Sequence, residues 1–301
     1  MKKISTLLLT LTVFLVNSCN EPAQKTSADS FSFAFMTDIH VQAEKKAAEG
    51  FMQAIDTVNK LSPDFVITGG DQIMDALGQT ESRADSLYTL YNEISESFDM
   101  PVYNTLGNHE VFGYYERSGV DTTHPLYGDR MFEERIGERY YSFEHKGWKF
   151  YILDSVEERE GRNGYFGFVD DEQIEWLKKD LESVDNKTPV VISVHIPLIS
   201  VQTQLLSGST AANSDGIVIK NSKEVLSLFE KHNLKLVLQG HLHFLEDIYA
   251  EGVHFITGGA VSASWWNGPR GSLQEGFLMV NVEGNEFDWE YVDYGWEVAV
   301  N

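Results

Sequence analysis

Carboxylates, imidazoles and one amide recur in short clusters along this chain: Asp38-x-His40, Gly69-Gly70-Asp71, Gly107-Asn108-His109-Glu110, His195 and Gly240-His241-x-His243. These side chains hold divalent ions, combining hard oxygen donors with imidazoles that stay neutral near pH 7. Two ions a few ångströms apart also need one ligand that reaches both, and such a pair activates water. In an extended segment the i, i+2 spacing of Asp38 with His40, and of His241 with His243, sends both side chains to one side, where they can share an ion. Taken singly, each residue has a plainer alternative. Asp38 and Asp71 suit turns or caps, His40 and His195 suit satisfied surface histidines, and Asn108 suits a tight turn after Gly107. The set resists that reading because each member directly follows an apolar, strand-like run, where ligands collect in open α/β sheets. Five of the nine histidines belong to this pattern. His124, His145, His232 and His254 do not and are read as ordinary surface or core residues.

The elements that must position these residues can be read from periodicity. Residues 31–36 form an apolar run ending at Thr37-Asp38, and 43–61 carry apolar side chains at helical spacing. Residues 64–68 read as a buried strand stopped by Gly69-Gly70, where glycine lets the backbone turn sharply. A helix over 82–98 and a strand over 101–106 repeat the unit and deliver Gly107-Asn108-His109. Residues 111–138, rich in glycine, aromatics and charge, suit a long loop or small insertion. A hairpin is expected over 140–144 and 148–154, and a helix over 170–184 capped by Asp170 or Asp171. A strand over 189–194 ends at His195, a helix spans 222–232, and a strand over 234–238 leads to Gly240-His241. Antiparallel strands over 247–250, 253–257, 276–282 and 286–293 complete the chain. Alternating strand and helix followed by mostly strand points to a mixed α/β domain.

With 301 residues and 42% apolar content the chain can bury one large core. Its formal net charge of −23 argues against a nucleic-acid polymer as partner. Bound divalent ions would give such an acidic protein the local positive charge that a phosphate substrate needs. Residues 1–18 read as an export signal, with Lys2 and Lys3 before an apolar stretch from Leu7 to Val16 that is too short to span a bilayer. Leu15-Val16-Asn17-Ser18-Cys19 resembles a bacterial lipobox, although Asn17 departs from the usual small or apolar residue. Lipid attachment at Cys19, the only cysteine, is therefore expected, with ordinary secretion as the alternative. Residues 19–30 read as a flexible tether and 31–301 as the folded domain. This places the protein in the bacterial cell envelope, in the periplasm or on the outer membrane, meeting membrane only through its anchor.

In order, the blocks TDIH, GGDQ, GNHE, SVHIP and GHLH resemble the five motifs of the calcineurin-like metallophosphoesterase family, over roughly residues 31–259. The resemblance implies a two-sheet β-sandwich flanked by α-helices, a four-layer αββα arrangement, and two metal ions of Fe, Mn or Zn type. It also implies that Asp38, His40, Asp71 and His243 hold one ion while Asp71, Asn108, His195 and His241 hold the other, with Asp71 as the bridge. His109 would be a catalytic residue beside the site, assisting the leaving group. The implied reaction is hydrolysis of a phosphate ester by a hydroxide shared between the ions.

Phosphoprotein phosphatases of that superfamily carry arginine just before the glycine of GNHE, for a bidentate phosphate grip, whereas this chain has Leu106. That disfavours protein phosphatase activity. The expected substrate is a small-molecule phosphate ester, a phosphodiester first (nucleotide or lipid head group), with phosphomonoesterase as the alternative. Outside the enzymes, the alternative is a surface lipoprotein that keeps its metal for stability, or binds a glycan or envelope partner through an aromatic loop. Phe112, Tyr114 and Tyr115, and Trp265-Trp266-Asn267 with Arg270, are candidates for substrate contact or for local packing. Asp154 is either a support for the site or a turn residue.

Overall fold

Every other residue of the first strand is a phenylalanine, and that alternation builds the centre of the molecule. The structure is a computed structural model and describes residues 30–298. The expected leader at 1–18, Cys19 and the tether up to residue 29 lie outside the described residues. Strand β1 (Ser30–Met36) starts one residue before the expected domain boundary. It pairs in parallel with β2 (Phe65–Thr68), and β2 with β3 (Val102–Asn104), through the crossover helices α1 (Ala47–Leu61) and α2 (Glu81–Ser95). A short helix, α3 (Arg130–Arg135), lies in the stretch expected to be loop. Then come the hairpin of β4 (Tyr141–His145) and β5 (Trp148–Ile152), a second small hairpin of β6 (Val156–Glu158) and β7 (Tyr165–Gly167), and α4 (Asp171–Leu181). Asp170 caps α4, its carboxylate accepting the Gln173 N–H. The rest runs β8 (Pro189–Ser193), α5 (Gln202–Ser207), α6 (Ser222–Leu228), β9 (Asn233–Gln239), β10 (Leu245–Ala250), β11 (Val253–Gly258), β12 (Gly276–Glu283) and β13 (Glu286–Asp293).

Two large sheets result, ordered β13-β12-β1-β2-β3 and β10-β11-β9-β8-β5-β4. In the first, β12 and β13 add antiparallel to the parallel β1-β2-β3 core. In the second, β5, β8, β9 and β11 are parallel, with β4 and β10 antiparallel at the edges. The antiparallel pairing expected for β10–β11 and β12–β13 is present, but β11 runs parallel to β9.

The side-chain period of two explains the layering. Phe31, Phe33 and Phe35 point between the sheets, where they meet Phe65, Phe150, Leu236, Ile256 and Leu278. Phe33 stacks on Phe65 with centroids 5.1 Å apart and meets Phe150 edge-on at 5.7 Å. Ala34 and Met36 face the other way, into the core shared with Phe51, Ile55 and Val58 of α1 and Tyr88 of α2. Val190 and Ile192 of β8 similarly pack with Ile174 and Leu177 of α4. Helix, sheet, sheet and helix therefore stack as four layers, as the family resemblance implied. The carboxyl ends of β1, β2, β3, β8 and β9 open toward the loops that carry the polar clusters.

Candidate metal centre

The five loops that leave those strand ends bring their clusters together. Asp38, His40 and His243 form one group, His40, Asp71 and His109 a second, and Asp71, His195 and His241 a third, with the donor atoms of each group within 4.8 Å of one another. Asp71 links them. Its Oδ2 lies 3.1 Å from His195 Nε2, 3.6 Å from His40 Nε2 and 3.8 Å from His109 Nε2. Asn108 joins at His195, its Oδ1 3.1 Å from the same His195 Nε2. All seven expected ligands and His109 thus converge. Asp38 and His40, and His241 and His243, do so for a reason other than strand alternation: all four have left-handed backbone, with φ of 55°, 49°, 71° and 47°. Asp71, at φ 54°, is a fifth.

Glycine makes the approach possible at two points. Gly70, at φ 91°, has the His195 ring where a Cβ would stand, and a Cβ on Gly240 would strike Thr37 Oγ1. Backbone carbonyls then fix the imidazole tautomers, because a carbonyl can only accept. His195 Nδ1 donates to Gly69 O at 2.8 Å and His243 Nδ1 to Ala263 O at 2.5 Å, which leaves Nε2 of each facing the cluster. His241 is reversed, donating from Nε2 to Gly216 O at 2.8 Å and leaving Nδ1. His109 Nδ1 donates to Met74 O. The donor set fits metal ions: Asp38 Oδ1 and His40 Nδ1 are buried without a hydrogen-bond partner, and His40 Nε2 stands only 2.9 Å from His243 Nε2.

The electrostatics agree. Burial works to raise Asp38 and Asp71, but the facing imidazoles, His243 for the first and His195 for the second, hold both below the ordinary carboxylate range. Burial, followed by a neighbouring imidazole, lowers His40 and His241 to about 4, so both are neutral donors. His195 goes the other way. Burial lowers it, yet Asp71 more than compensates and raises it to about 9, so an arriving ion must displace that proton.

Glu110, the last residue of the GNHE block, has a role that its residue type and spacing do not reveal. Its Oε2 accepts the N–H groups of Asp71 and Gly107, each at 2.9 Å, and its Oε1 accepts that of Ile73 at 3.0 Å. It therefore holds the Asp71 loop to the Asn108 loop. Burial, then Asp71, pushes its carboxyl up to about 8. Tyr165 was missed. Its ring meets His241 edge-on with centroids 5.9 Å apart, and burial followed by Asp71 keeps its phenol protonated. Nothing in the charged, glycine-containing run 157–164 signals that position.

The substrate candidates divide. Trp265 lies on His243, centroids 4.3 Å apart, and Arg270 Cζ is 5.3 Å from the Trp265 ring, so both stand at the rim. Trp266 must be corrected. It is buried against Gly50, and its Nε1 donates to His40 O at 3.0 Å, so it braces a ligand loop from behind. Phe112 and Tyr114 are likewise buried, while Tyr115 is half-buried beneath Arg117. Asp154 pairs with Arg139 at 3.0 Å and takes no part in the three groups. The four histidines set aside earlier also stay outside them.

Residues 31–245 match the profile of the calcineurin-like phosphoesterases, and the chain belongs to that family of phosphate ester hydrolases. It is 24% identical over 205 residues to a protein of Xenorhabdus bovienii (strain SS-2004) named as a probable cyclic nucleotide phosphodiesterase, covering 68% of this chain and 71% of that one. Its fold resembles a dimetal phosphatase from Danio rerio, with TM-score 0.58, 16% identity and coverage of 88% of this chain and 99% of that chain. It also resembles a purple acid phosphatase from yellow lupin seeds, with TM-score 0.56, 18% identity and coverage of 88% and 52%.

Because Asp71 faces both halves, Asp71→Asn is expected to lose both ions, whereas Asn108→Ala, whose amide meets only the His195 half, retains at least one. Metal analysis after Mn loading and desalting checks this, and Asp71→Asn protein with a full metal complement would contradict it.

Proposed function

We propose that this phosphoesterase hydrolyses phosphodiesters of small molecules, nucleotides or lipid head groups, with Asp38, His40, Asp71 and His243 holding one ion and Asp71, Asn108, His195 and His241 the other. Ions bound there would generate a nucleophile from water at neutral pH and offset the charge of the phosphoryl oxygens. The carrying observation is the makeup of the inner wall. The side chains that converge are carboxylates, imidazoles and an amide, and Leu106, where a phosphate-gripping arginine would stand, is fully buried in the core. A diester bears one negative charge and needs no such grip, whereas a monoester dianion gains from one. The name carried by the Xenorhabdus bovienii relative supports the same choice. The monoester reading rests on Arg270, a cation at the rim over Trp265.

His109 suits the leaving-group end. Its backbone N–H donates to Asp71 Oδ1 at 2.9 Å, its ring meets His40 at 4.6 Å, and it is one-fifth exposed while His40 and His195 are closed off. An imidazole so placed can protonate a departing oxygen. We further infer export and lipid attachment at Cys19, supported by Lys2, Lys3 and the apolar run before it.

Three outcomes follow. Mn-reconstituted protein should turn over a bis-aryl phosphate faster than the mono-aryl ester, and the reverse ranking would move the assignment to phosphomonoesterase. His109→Ala should keep its metal yet lose roughly 10²–10⁴-fold in kcat, so a parallel loss of metal would sink the catalytic assignment. Cys19→Ser should shift the protein from the membrane fraction to the soluble one; unchanged partitioning would exclude the anchor.

A further inference from the structure

Most of the inward-facing tyrosines have a partner for their hydroxyl. Tyr88, Tyr91, Tyr141, Tyr151 and Tyr294 donate to carbonyl or carboxylate oxygens at 2.6 to 3.1 Å. Tyr165 does not: among the described residues its hydroxyl has no hydrogen-bond partner, although its ring is half-buried against His241. Its place is nevertheless set with care. The Tyr165 carbonyl accepts Arg159 Nη2 at 3.2 Å, and that same nitrogen donates to Asp215 Oδ1 at 2.7 Å. The Gly167 N–H donates to the Asp215 carbonyl at 2.6 Å, and the adjoining Gly216 carbonyl is the one that fixes the His241 ring. One segment, Asp215-Gly216, therefore holds both the Tyr165 backbone and the His241 ring, and the Tyr165 ring meets His241, a member of the group with Asp71 and His195, edge-on. His109 stands in another group, against His40.

Building on the phosphoester reading above, we propose that Tyr165 is a substrate-contacting residue whose O–H donates to a non-bridging phosphoryl oxygen seated over His195 and His241. A neutral donor suits that role in a site without an inner arginine. It stabilises charge that develops on the oxygen during attack without adding charge of its own. The side of the centre at His241 thereby becomes a recognition element, and the β6–β7 hairpin becomes part of the active site.

The test compares Mn-loaded wild type with Tyr165→Phe, which keeps the ring and removes only the hydroxyl. Metal content and thermal midpoint should match. Inorganic phosphate, titrated calorimetrically, should bind about tenfold more weakly to the variant. On a bis-aryl phosphate kcat/KM should fall about a hundredfold. On the analogue with sulfur at a non-bridging position, a poorer acceptor, the loss should shrink to roughly threefold or less. Equal losses on the two esters with unchanged phosphate affinity would overturn the contact and leave Tyr165 as a support for His241. Weakened phosphate binding in a protein whose wild type hydrolyses no diester would uphold the contact while removing the diester assignment.

Discussion

Asp71 Oδ2 lies 3.1 Å from His195 Nε2 and 3.6 Å from His40 Nε2, so a single buried carboxylate oxygen faces both halves of the centre. A carboxylate closed off from water is several kcal/mol too costly unless positive charge or donors meet it. Here the Asp71 Oδ1 takes the His109 N–H and its own N–H goes to Glu110. The loops after β2 and β3 are thereby tied through the residue that the ions would share. His40 on one side and His195 on the other both face this carboxylate, and the bond from the His109 N–H ties Asp71 to the loop that carries His109.

The loops meet this demand with strained backbone. Five of the seven expected ligands adopt left-handed φ without being glycine, a conformation that costs on the order of 1–3 kcal/mol per residue and persists only where the surroundings over-determine it. Those surroundings are identifiable. The Asp38 carbonyl accepts Ser262 Oγ at 2.8 Å, the His40 carbonyl accepts Trp266 Nε1, and Asp38 Oδ2 accepts both Thr37 Oγ1 at 2.7 Å and the His241 N–H at 3.0 Å. Behind them the packed phenylalanines of β1, β2 and β5 fix how the two sheets sit, and so which loops face each other.

The sequence carried the strands that end in polar clusters because their apolar runs and glycine stops are local signals. Asp38, Asp71, Asn108, His109, His195, His241 and His243 could be read as one set for the same reason. What the chain hid depends on contacts between distant residues. Carbonyls of Gly69, Met74, Gly216 and Ala263 choose the imidazole tautomers, and a carbonyl leaves no mark on residue type. The Trp265-Trp266 pair looks uniform in sequence, yet consecutive left-handed residues, φ 51° and 65°, send one ring to the rim and the other into the core. The β6–β7 strands are three residues each, too short for period two to show among Glu157, Glu158 and Arg159. Tyr165 was lost with them.

The central claim is that one carboxylate joins two ion sites. Anomalous diffraction from crystals of the Mn-loaded protein, recorded on either side of the Mn edge, tests it most directly. A pair of peaks should flank the Asp71 carboxylate, one beside Asp38, His40 and His243 and the other beside Asn108, His195 and His241. A single peak, or a pair of which only one touches Asp71, would contradict it.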